Sequence, residues 1–172
     1  MLIKLKKFVI RAINWKSRNG MVILRFSLGI IFIWFGILKF FPNVSVAEDI
    51  AGRTISKITF GLVNKQYSMP FLALWECAIG VGLITGRKMV YVLFILYLQM
   101  VGTFLPLILF SSECWTSVSF APTLLGQYII KNVVLVSSAI VIGATANGGV
   151  LISNPMVAIK ALRLQSMEDK KN

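Results

Sequence analysis

Lys39, Glu76 and Lys131 are ionisable residues set inside or at the edge of three separate apolar stretches. A charge in hydrocarbon costs about 3 kcal/mol on insertion scales, so an intramembrane ion marks a paired or functional group. A carboxylate between two ammonium groups lowers the cost of burying each, although a buried pair seldom adds stability over an apolar replacement. The chemistry on offer is therefore a polar clasp between helices or a binding site. Two cations and one anion leave one positive charge unless Glu113, Glu48 or Asp49 folds in to balance it. Beside Trp34, Phe35 and Trp75 that charge suits a quinone head group, an oxyanion or a lipid head group. Gln127 adds a hydrogen-bonding group near Lys131. Gln99, with Thr103 four residues on, reads as a helix-packing contact.

The elements that must position these residues follow from composition. Of the 172 residues 57% are hydrophobic and 14% charged, and the mean hydropathy is +0.81, far above an ordinary soluble domain. Four stretches, 22–42, 70–86, 89–110 and 127–147, are long enough to span about 30 Å of hydrocarbon at about 1.5 Å per residue. The expected fold is all-α, an integral membrane four-helix bundle over 21–150. A basic segment precedes it (1–20) and a tail follows (151–172). Measured from Pro42, from Pro70 and from the start of the fourth stretch, Lys39, Glu76 and Lys131 all fall roughly 5–12 Å below the same surface.

The net charge of +12 is spent at the ends of the apolar stretches, not on a basic fold with interleaved aromatics, so a nucleic-acid partner is not expected. Lys4, Lys6, Lys7, Arg11, Lys16 and Arg18 precede the first stretch, Arg87 and Lys88 link the second and third, and Lys160, Arg163, Lys170 and Lys171 follow the fourth. The positive-inside rule then predicts a bacterial-type inner membrane protein with both termini cytoplasmic. Residues 1–19 alternate basic and apolar types, as an amphipathic segment on anionic lipid would, or form a basic tail without structure. Arg25 is expected to snorkel to the inner interface.

In the first outer loop, Ser45 and Glu48 have capping-box spacing, and Ala47, Ile50 or Ala51, Thr54, Ile58 and Leu62 recur at helical spacing. A short amphipathic helix is expected there. The second outer loop, 111–126, is apolar and small enough to dip back against the helices. Cys77 and Cys114 both belong to the outer half, where a disulfide could persist, and two unreactive thiols are the alternative. With no histidine, no CxxC pair, no phosphate-binding glycine loop and no nucleophile elbow, no metal site and no self-contained catalytic motif is expected. The glycines 29, 36, 80, 82 and 102 read as close helix packing.

The run from Arg25 to Pro42, with Gly36 three residues before Lys39, resembles the first helix of the DoxX-like membrane proteins. The Trp75, Glu76, Cys77, Gly80 set and the Gly126, Gln127, Lys131, Asn132 set resemble the same family, over roughly residues 21–150. The first helix is also similar to that of a related inner-membrane family linked to reactive-chlorine resistance. The resemblance implies a four-helix membrane bundle and, as in some relatives, association with membrane redox systems such as a thiosulfate to quinone oxidoreductase or oxidative-stress enzymes. It implies polar positions at Lys39, Glu76 and Lys131 and no catalytic residue. Any electron transfer would need a partner subunit or a diffusible quinone. The expectation is thus an accessory subunit that binds a quinone-like or anionic ligand, or a partner, through this layer, in the bilayer and as part of a complex or homo-oligomer. A small transporter and a structural assembly factor are the alternatives.

Overall fold

A computed structural model describes residues 2–118, 120–149, 151, 156 and 159, and over them the chain is helical. The expected tail of 151–172, with Lys160, Arg163, Lys170 and Lys171, otherwise lies outside the described residues. The elements are α1 (Leu2–Leu38), α2 (Glu48–Ile58), α3 (Lys65–Thr85), α4 (Met89–Phe104), α5 (Pro106–Leu109), α6 (Ser111–Cys114), α7 (Leu124–Ile130) and α8 (Val133–Thr145), closed by a tight turn at Ala146–Gly148. Four helical stretches are long and apolar enough to cross a membrane: Leu5–Leu38, Lys65–Thr85, Met89–Leu109 and Leu124–Thr145. The chain is a multi-pass membrane protein by that measure.

Each stretch differs from its expected limits for a local reason. α1 runs unbroken through residue 20, so the basic segment is a continuation of the first apolar helix and not a structureless tail. It ends at Leu38, and Lys39, Phe40 and Phe41 each donate to the carbonyl three residues back before Pro42 stops the path. α3 begins at Lys65, with Pro70 inside it, five residues earlier than expected. It closes on Gly86, whose φ of 69° is the left-handed conformation that a side chain disfavours. The third stretch is interrupted before Pro106, which opens α5. The fourth is interrupted at Lys131 and Asn132. There Asn132 donates its backbone N–H to Ile129, three residues back, and its amide to the carbonyls of Tyr128 and Ile129.

α3 packs along α1 and also against α4, while α8 lies against α1 and α4. The common core draws Leu28 and Phe32 from α1, Ile79 and Leu83 from α3, Leu96 from α4 and Ile142 from α8. α1 and α3 meet closely because glycines face each other. A Cβ on Gly80 would stand 2.6 Å from the Gly29 carbonyl oxygen, and one on Gly36 2.8 Å from Cys77 Sγ. Gly102, by contrast, faces open space and takes no part in packing. Outside this core Trp34, Phe71, Leu74, Phe94 and Val134 are more than 60% exposed, an apolar exterior suited to hydrocarbon.

The connection before α3 folds over the Lys39 end. The capping box does not form: α2 starts at Glu48 with Ala47 as its cap, and the Glu48 carboxylate accepts the Asn43 N–H at 2.6 Å and pairs with Lys65 at 3.2 Å. α2 buries Ile50, Gly52 and Thr54, but Ile58 and Leu62 lie exposed. In 111–126 the chain does fold back. Trp115 bridges Pro122, Thr123 donates its N–H to Cys114, and the Thr123 hydroxyl caps α7 by accepting from Gly126.

Candidate functional site

Lys39 lies one residue past α1, and Glu76 lies eleven residues, about 16 Å, into α3. Because α3 begins before Pro70, Glu76 is near the middle of its helix, deeper along α3 than reckoning from Pro70 implies. Their side chains nevertheless meet. The Lys39 ammonium donates to Glu76 Oε2 at 2.6 Å, with side-chain exposures of 6% and 10%. The same ammonium reaches the Phe35 carbonyl at 3.3 Å. A lysine at this place suits the unpaired carbonyls and negative pole of a helix C-terminus.

The second oxygen of Glu76 is not open. Gln99 Nε2 donates to Oε1 at 2.9 Å, so one carboxylate ties α1, α3 and α4 together. Gln99 was expected to bridge helices, and it does so onto the charge itself. Thr103 donates its hydroxyl to the Gln99 carbonyl at 3.0 Å, one turn on along α4.

Lys131 stands apart from this triad. Its ammonium lies 4.0 Å from the centroid of the Tyr128 ring and 5.9 Å from that of Phe35, and it forms no ion pair among the described residues. The three expected members therefore divide into a closed pair and a cation on aromatic faces, linked through Phe35, whose carbonyl takes Lys39 and whose ring faces Lys131. The tight turn at Lys131 and Asn132 sets that direction. Gln127 turns back on its own loop, donating to the Pro122 carbonyl at 3.3 Å, and is exposed. Trp75, beside Glu76 in sequence, keeps a buried indole N–H with no acceptor among the described residues.

The anions named as candidates to balance the layer are engaged elsewhere. Arg53 forms a two-point pair with Glu113, at 2.7 and 2.6 Å, and a third contact with Asp49 at 2.8 Å. The guanidinium also covers the Phe110 ring at 4.8 Å, and Lys57 approaches that ring at 5.0 Å. These contacts fasten α2 to the second loop. The hydrogen bonds from Arg53 hold the Glu113 carboxyl below its ordinary value, and Glu113 with Asp49 raises the already high Arg53. No spacing in the sequence foretold this clamp, since its partners are 60 residues apart.

The two cysteines are free thiols. A Cys77 to Cys114 disulfide is thus not formed: Cys77 Sγ lies against Gly36 and donates toward Ile33, whereas Cys114 is fully buried and donates to the Pro106 carbonyl at 3.5 Å. Burial pushes the Cys114 thiol up.

No family model, no curated protein and no solved structure matches this chain. Among the described residues no three His, Cys, Asp or Glu side chains gather as metal ligands.

Proposed function

We propose that the chain is a DoxX-like four-helix bundle of the bacterial inner membrane, with cytoplasmic termini, serving as an accessory subunit of a membrane redox system. In this reading Lys131, with the Tyr128 and Phe35 rings, receives a quinone-like or anionic ligand, and the Lys39, Glu76 and Gln99 triad holds the helices beneath it. The observation that carries the reading is the Lys131 ammonium, 4.0 Å from an aromatic ring and without a carboxylate partner among the described residues, beside an ion pair that is already satisfied. Aromatic faces with a few placed donors are what a planar, polarisable head group requires. The protein supplies binding and orientation, and electrons come from a partner or the quinone itself.

A short-chain benzoquinone, titrated against tryptophan fluorescence in detergent, tests the site. Wild type binds saturably, and Lys131→Gln, at an exposed position, keeps its fold and binds about tenfold more weakly. Absence of saturable binding, or equal binding by the variant, removes the reading. Native mass spectrometry of protein extracted gently from its membrane identifies the co-purifying subunit.

A structural assembly factor is the second reading, favoured by the way Lys39, Glu76 and Gln99 satisfy one another. In that case Lys131→Gln changes neither ligand binding nor partners.

A further inference from the structure

At the end of the helices opposite to the Lys39–Glu76 pair, α1, α4 and the close of α8 leave a cavity of about 110 Å³. Met21, Val22, Arg25, Met89, Ile142, Thr145 and Ala146 line it. Arg25 is half-buried, and its Nε is buried with no hydrogen-bond partner among the described residues. A buried guanidinium N–H without an acceptor is costly, and such a group is normally satisfied by something.

The guanidinium does not simply reach outward. It lies against the turn joining α3 to α4, where a Cβ on Gly86 would stand 2.9 Å from Arg25 Cζ. The next two residues are Arg87 and Lys88, so three cations gather at this turn. Each described carboxylate is committed elsewhere: Glu76 to Lys39, Glu48 to Lys65, and Asp49 and Glu113 to Arg53. Met89, the first residue of α4, lines the cavity, so the positive N-terminal pole of that helix lies beside it. Apart from Arg25 and Thr145, whose hydroxyl donates to the Ile142 carbonyl, the lining side chains are apolar.

We propose that this cavity seats the phosphate of an anionic phospholipid against the Arg25 guanidinium, with the acyl chain outside it along the exposed Val22 and Phe26. A cavity of about 110 Å³ holds several waters, and so has room for a phosphate group. Basic pockets between membrane helices at an interface take phosphate head groups for the same electrostatic reason. The site is separate from the Lys131 proposal and stands without it.

Delipidated full-length protein, exchanged into detergent with phosphatidylglycerol or phosphatidylcholine and read by native mass spectrometry, tests the assignment. Wild type retains phosphatidylglycerol about tenfold better than phosphatidylcholine, and Arg25→Gln loses that preference. Ala146→Phe adds bulk at a lining residue and keeps Arg25, so it loses the preference even if Arg25→Gln does not survive extraction. Equal retention of the two lipids by wild type, or an unchanged preference in either variant, overturns the proposal. Displacement of the lipid by millimolar inorganic phosphate overturns it too, because the cavity then takes a free anion.

Discussion

Replacing Glu76 by glutamine removes the charge that Lys39 meets at 2.6 Å while leaving the shape of the side chain nearly unchanged. Glutamine keeps one acceptor oxygen where glutamate offers two, so Lys39 on Oε2 and Gln99 on Oε1 cannot both keep their present contacts. Lys39 is then a cation with 6% side-chain exposure whose remaining partner is the Phe35 carbonyl at 3.3 Å. Breaking a buried pair from one side costs about 3–5 kcal/mol. An unpaired lysine in hydrocarbon costs about 3 kcal/mol on insertion scales. The two estimates agree, and a loss near the lower figure is expected, because the amide retains one hydrogen bond.

The cycle that isolates the pair adds Lys39→Met. Alone it strands the Glu76 carboxylate on Gln99 and costs a similar amount. Combined with Glu76→Gln it removes both charges and keeps an amide pair with Gln99, so the double variant returns to within about 1 kcal/mol of wild type. Reversible unfolding in mixed micelles, followed by circular dichroism, measures all four corners. Single losses below about 1 kcal/mol, or a double variant equal to their sum, would falsify the claim that this contact is a coupled, desolvated pair.

At the α1–α3 seam, Gly80→Ala forces a methyl to 2.6 Å from the Gly29 carbonyl oxygen and lowers stability by about 1–3 kcal/mol. Gly102→Ala meets open space and is neutral or stabilising by up to about 1 kcal/mol; thermal melts of the two variants in one detergent compare them, and equal effects refute the seam. Glu113 has a folded value depressed below about 4.5 by Arg53, so its contribution is present above that pH and fades as pH falls through the lower folded value. Trp115 emission should report the second loop loosening in that acid window, with Glu113→Gln already loose at neutral pH. Both thiols remain reduced on non-reducing mass analysis. Cys114, fully buried and with its thiol pushed up, resists maleimide until the fold is opened, so labelling of native protein at the unfolded rate contradicts its placement.

The apolar stretches were legible because a span needs only length and hydropathy, and a charge within one is conspicuous whatever the fold. Depth along a helix is likewise arithmetic, but it gives height without direction. Lys131 was placed at the right end of its span and grouped with Glu76. The turn created when Asn132 takes the carbonyls of Tyr128 and Ile129 aims it at rings instead. Pro70 misled for a related reason. A proline in an exposed early turn costs one hydrogen bond and a local adjustment, and α3 carries it while starting at Lys65. Gln99 was ambiguous because a neutral amide in a span bonds to whatever faces it. Only packing made that neighbour a carboxylate.

The distribution of anions joins these observations. Of the six acidic residues in the chain, the four that are described all sit toward the Lys39 end, and each has a basic partner there. Lys39, Arg53 and Lys65 are neutralised by them, and Lys57 leans on the Leu109 carbonyl and the Phe110 ring. Lys131 has aromatic faces alone, which are worth about 0.5–1 kcal/mol at an exposed site, far less than a carboxylate in a desolvated one. A fold that uses its described carboxylates to fix α1, α2 and α3 and leaves Lys131 on rings has, at this end of the helices, an unspent attraction for an anion or a carbonyl at Lys131. That is why the binding assay is directed there and the stability cycle at Glu76.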